Sequence, residues 1–190
     1  MSCQRYFFGV AVAGYPVRPE GDHTMSGTLL ELFRHKTWAT LQLIDYCQGL
    51  SDEDLNATIP GVFGTIRETL QHLVDSEEGY FRIVTTERLF EPLSERLVPL
   101  AELARRISAL APRWEALAQD ASVADRECTT SDGWRVPGSV PMAQAIHHAD
   151  DHRSHVLSIL GARGLPTPEP NGLDMWGYAE AKGLMQPVGT

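Results

Sequence analysis

Hydrophobic residues recur along most of this chain at intervals of three and four, the spacing that lines one face of an α-helix. From about Ser26 to Gln48, Leu29, Leu30, Phe33, Leu41 and Ile44 keep that interval, and Gly49 is placed to end the helix. "SDEDL" then offers Ser51 as a cap with Asp54 three residues on, which predicts one short turn, and "IPGVFG" breaks the chain. A second helix begins at Thr65, where "TIRE" has the form of a capping box. Ile66, Leu70, Leu73, Glu77, Phe81 and Val84 share one side of it, to about Thr86. After the loop "FEPLSERLVP", a third helix from about Val98 to Gln119 carries Leu100, Leu103, Ile107, Leu110, Trp114 and Leu117 as its apolar stripe. Pro99 suits its first turn, and Pro112 predicts a kink or break near Ser108.

The next stretch, Ala121 to Gly138, is polar and irregular, with "SDGW" and "VPGS" as turns. A fourth helix follows from about Val140 to Leu160, with Ser139 as its cap, Pro141 in its first turn, and Gly161 and Gly164 to stop it. The tail is proline-rich and then predicts a last short helix near Asp174 to Ala181. There is no repeat, and no strand pattern longer than a few residues. Four substantial helices with one long crossover make an all-α four-helix bundle the expected architecture.

Composition narrows the setting. A chain of 190 residues with 43% hydrophobic and 22% charged positions is that of an ordinary single globular domain. Its 16 basic against 25 acidic residues give a net charge of −9, with no basic cluster, which excludes a nucleic-acid phosphate binder. Cys3, Cys47 and Cys128 are odd in number and lack metal-ligand spacing, as expected for free thiols in a reducing cytoplasm. Nothing approaches the roughly 20 apolar residues of a membrane span. The apolar run in "MSCQRYFFGVAVAG" is short and is followed by the polar "PVRPEGD", whereas Met25 opens the periodic region. Residues 1–24 therefore read as an N-terminal appendage from an early start rather than an export signal, and 25–190 as the domain.

Candidate chemistry concentrates in "AIHHADDHRSHVLSIL", which holds four of the chain's seven histidines. On a helical wheel Ala145, Ala149, Val156, Ile159 and Leu160 define the apolar side. His148 and His152 fall within it, His155 sits at its edge and His147 points away. An i, i+4 pair of imidazoles on one face can share a cation, and a catalytic site wants a third protein ligand and an open position. His72, on the flank of the second helix beside Thr69 and Ser76, is the best third ligand; His35 and His23 have less support. Spacing alone leaves two readings level: a metal site, or core histidines satisfied by Glu77, Asp45 or Ser76. Asp150 and Asp151 are candidates to orient imidazole N–H groups, or are simply solvated. Cys47 reads as a small core residue, and Trp38, Trp134, Trp176 and Tyr178 as packing rather than pocket lining. No nucleophile elbow, phosphate loop or CxxC pair is present, which removes serine hydrolases, nucleotide binders and zinc fingers.

Three of these stretches resemble the DinB-like (YfiT-like) superfamily of helical-bundle proteins. "FGTIRETLQHLVDSEEGYF" is similar to the family's second helix with its histidine, His72; "HADDHRSHVLSILGARG" is similar to its fourth helix, with His148, His152 and Arg153. "LDMWGYAEAKG" is similar to the aromatic ending of many members, and the likeness covers about Gly27 to Gly183. The resemblance implies an up-up-down-down bundle, often a homodimer, with Zn or Ni held by His72, His148 and His152. Members usually have small polar residues after the arginine; here Ser154 and His155 follow, which leaves His155 as an additional ligand or an outer partner of one. Arg153 is then either structural or a binder of a substrate carboxylate. Characterised relatives include transferases that use low-molecular-weight thiols, so a metal-dependent transfer of such a thiol to a small electrophile is the leading expectation. Metal-dependent hydrolysis of a small amide or ester, and a non-enzymatic metal-binding stress protein, are the alternatives.

Overall fold

The structure, a computed structural model, describes residues 25–93, 96–168, 172–185 and 188. The appendage expected at 1–24, with Cys3 and His23, lies outside them. Among the described residues six α-helices are formed: α1 (Met25–Gln48), α2 (Asp52–Leu55), α3 (Ile66–Thr85), α4 (Leu100–Gln119), α5 (Ser139–Ala162) and α6 (Met175–Ala181). A two-stranded antiparallel hairpin, β1 (Glu127–Thr129) and β2 (Arg135–Pro137), stands before α5.

Local chemistry explains most boundaries. Ser51 caps α2 by accepting from the Asp54 amide. Thr65 and Glu68 close a full capping box on α3. Asp174 accepts from the amides of Trp176 and Gly177 to start α6. Two expectations are corrected. Ser139 is not a cap: α5 starts one residue earlier than expected, from Gly138, without a side-chain cap. A Cβ on Gly138 would lie 2.1 Å from the Val123 carbonyl oxygen, so the close approach of the hairpin base to the Ala121–Val123 turn requires glycine there. Nor does Pro112 break α4, which runs through to Gln119. Pro112 and Ser108 are both exposed, so the carbonyl left without its amide faces solvent.

The core has two ends. At one, Leu43, Ile44 and Cys47 of α1 meet Ile66 and Leu70 of α3, Leu103 and Ile107 of α4, and Val156 and Ile159 of α5. At the other, Phe33 of α1 meets Phe81 and Val84 of α3, Trp114 of α4 and Met142 of α5. Helix directions follow from which residues meet. α1 runs opposite to α3 and α4 and parallel to α5, an up-down-down-up order rather than the expected up-up-down-down. α1 lies chiefly on α4 and α3 chiefly on α5. The long crossover, described over 86–93 and 96–99, leads from the end of α3 back to the start of α4. It begins at Thr86, whose φ of 64° turns the chain out of the helix. It is tied down by Asp75 accepting from the Leu93 amide and Gln71 accepting from the Val98 amide.

Between the two ends lies a charged layer. Lys36 is fully buried and ion-paired to Glu77, with its ammonium 5.4 Å from the ring centres of both Phe33 and Trp114. Burial holds the Lys36 pKa below its usual value against the attraction of Glu77. Arg153 is buried beside them, donating to the Thr40 hydroxyl at 3.0 Å and the Lys36 carbonyl at 3.3 Å and pairing with Asp150. Among the described residues, no helix is long and apolar enough to cross a membrane.

Candidate metal centre

α3 and α5 lie antiparallel, and this register sets His72 opposite the His148–His152 pair. The Nε2 atom of His148 is 3.2 Å from that of His72 and 3.0 Å from that of His152. One ligand atom from each ring lies within 4.8 Å of the others. A neutral imidazole nitrogen either carries a proton or accepts one, so the central nitrogen cannot bond well to two facing nitrogens at once. A cation resolves this. Zn–N bonds of about 2.0–2.1 Å at tetrahedral angles separate ligand nitrogens by about 3.3 Å, close to the spacings here.

The electrostatics suit the same reading. Burial, reinforced by the neighbouring imidazoles, lowers the pKa of His148 and of His152 to about 4. Burial lowers that of His72 too, against the pull of Asp75. The rings are therefore neutral near pH 7, with lone pairs available to a metal. Phe63 stacks on His72 with ring centres 4.0 Å apart and meets His152 edge-on. Tyr80 meets His148 edge-on at 5.5 Å, and the Ser76 hydroxyl lies 3.5 Å from His72 Nε2.

The remaining candidates are distributed differently. His155 sits edge-on to His152 at 5.2 Å and is not part of the convergence; its Nδ1 and that of His152 are buried without a hydrogen-bond partner among the described residues. Asp151 does not orient the cluster, because its carboxylate pairs with His147 at 3.1 Å on the exposed side of α5. Arg153 faces the interior between α1 and α5, where it donates to the Thr40 hydroxyl and the Lys36 carbonyl and pairs with Asp150. Glu77 pairs with Lys36 through Oε1, and among the described residues its Oε2 is buried without a hydrogen-bond partner, so it bonds none of the histidines. His35 docks the C-terminal segment, with Nε2 2.8 Å from the Leu173 carbonyl oxygen and its ring against Tyr178. Cys47 is buried and its thiol pushed up to about 12, an inert core residue. Trp38 packs on Tyr178, whereas Trp134 and Trp176 are each 70% exposed.

The sequence reading missed Lys36, Phe63 and Tyr80. Only the last had an available signal: it stands eight residues beyond His72 on the same face of α3.

A search of curated proteins found no match. A family model described as the DinB family matches residues 25–169, which contain the whole bundle and all three histidines. That match spans well over half of the sequence, and the chain belongs to the DinB family.

Proposed function

We propose that this protein binds one divalent metal ion, Zn or Ni, through His72, His148 and His152, and uses it to transfer a low-molecular-weight thiol to a small electrophile. The observation that carries the reading is the convergence of three neutral imidazole nitrogens on one point. When bound, the ion would act as a Lewis acid that holds the cosubstrate sulfur as thiolate near neutral pH.

The chain's own residues do the rest. His72, His148 and His152 supply nitrogen donors from two helices whose packing fixes the rings. Phe63 covers His72 and so limits water on that side, and Tyr80 braces the His148 ring. The Ser76 hydroxyl is placed to hydrogen-bond a ligand beside His72. Transfer is favoured over hydrolysis by the composition of the cluster. Metalloprotease-type hydrolysis uses a glutamate general base beside the metal, and among the described residues no carboxylate joins the three histidines. A thiol held as thiolate needs no such base.

Elemental analysis of untagged protein purified without chelators tests the ligand set. The expected result is about one Zn or Ni per chain in the wild type and loss of that metal in His72→Ala and His148→Ala, each still helical by circular dichroism. Folded wild-type protein that stays metal-free after incubation with Zn or Ni would overturn the proposal.

A further inference from the structure

A groove of about 530 Å³ runs along α3 away from the histidine cluster, within the usual range for small-molecule sites. It is lined by Ser76, Gly79, Tyr80 and Arg82 of α3, and by Thr129 and Ser131 of the hairpin. Two of these residues touch the cluster, Ser76 beside His72 and Tyr80 against the His148 ring, so the groove adjoins the proposed metal position. Its floor is open at Gly79, where an added Cβ would have no neighbour within 4 Å. Far from the cluster stands Arg82, exposed and without an ion-pair partner among the described residues. A cation in the last turn favours the helix dipole, but that would hold for any basic residue there, groove or no groove. The acidic residue of the groove, Asp75, has its Oδ1 engaged by the Leu93 amide.

We infer that this groove is the thiol-binding channel of the site, and that Arg82 anchors a carboxylate at the far end of an elongated thiol whose sulfur reaches the histidine cluster. The inference rests on the metal-and-thiol reading above. The ten residues from His72 to Arg82 span about 15 Å of helix, part of which the two side chains cover. A short thiol therefore reaches the cluster but not the arginine. A guanidinium is suited to the task, because its planar donors match a carboxylate in two parallel bonds. Because a Cβ at Gly79 would meet nothing within 4 Å, a side chain placed there has room to project into the groove.

Cobalt-reconstituted full-length protein gives a readout independent of turnover, since thiolate ligation produces a sulfur-to-metal charge-transfer absorption. The probes are 3-mercaptopropionate, 8-mercaptooctanoate and the uncharged 8-mercaptooctanol. In the wild type the long carboxylate is expected to bind about tenfold more tightly than the long alcohol, the gain of one charge-assisted contact. Arg82→Gln should erase that difference while leaving 3-mercaptopropionate unaffected. Gly79→Leu, a helix-favouring change, should weaken both long thiols and spare the short one. Equal binding of the two long thiols in the wild type, or a preference that survives Arg82→Gln, would overturn the channel while leaving the thiol site intact. If none of the three thiols produces the absorption in protein shown to contain cobalt, the underlying thiol reading falls as well.

Discussion

The most demanding residue in this protein is Lys36, an ammonium with no solvent exposure whose neighbours include two aromatic rings. Its charge is offset by Glu77, which lies against it, while the nearby Arg153 guanidinium works the other way and is itself held by Asp150 and by the charge of Glu77. Removing one member of such a layer leaves an uncompensated buried charge. Glu77→Ala should therefore destabilise the protein by about 3–5 kcal/mol in urea unfolding. Replacing both partners, Lys36→Met with Glu77→Leu, should recover most of that loss, because neither charge then has to be desolvated. A Glu77→Ala cost below about 1 kcal/mol, the value of an exposed pair, would mean that the layer is hydrated in solution.

At the scale of elements, periodicity and capping chemistry were enough to find the six α-helices of the described residues, with ends mostly within a residue or two, but not the short 3-10 turn at Ala121–Val123. The capping box at Thr65 and the Asp174 cap are local events, complete within a few residues, and so are readable locally. Direction and pairing are not local. The apolar stripe of α3 says which face is buried but not whether α1 or α5 covers it. Hence the up-down-down-up order escaped the sequence, and so did the Lys36–Glu77 pair, 41 residues apart. The i, i+4 histidines were legible because one helix presents them. His72 could be only a best candidate, because the α3–α5 register that brings it to them is a tertiary fact. The crossover, another tertiary feature, carries its own test. Glu78 receives Arg106, which also donates to the Glu91 carbonyl of the crossover. Burial, helped by Asp75 and Glu77, outweighs Arg106 and raises the Glu78 pKa from 4.5 to about 7. With the folded pKa above the unfolded one, the native state binds more protons between those values, so stability falls as pH rises. The contribution of Glu78 is complete below about 4.5 and is lost as pH passes through about 7. Urea unfolding at pH 5 and pH 8 should thus show a smaller decline in Glu78→Gln than in the wild type. Parallel declines would show that Glu78 does not titrate in this range.

Across the whole molecule, docking of the C-terminal segment and formation of the histidine cluster are separable. The family match ends at residue 169, yet the chain beyond it returns to α1. His35 holds the Leu173 carbonyl, Tyr178 donates to Glu31 at 3.1 Å, and the Tyr178 ring meets Trp38 edge-on. Burial and the Glu31 contact push the Tyr178 phenol up to about 12, so it stays a neutral donor across the physiological range. These contacts join the C-terminal segment to α1, whereas His72, His148 and His152 converge between α3 and α5. Tyr178→Ala removes a buried ring and one hydrogen bond, a loss of about 2–4 kcal/mol. Thermal unfolding should therefore fall by several degrees while metal content per folded chain is unchanged. Loss of metal from a Tyr178→Ala protein that remains folded would mean that the C-terminal segment supports the cluster through α1, and that the two ends of the bundle are mechanically coupled.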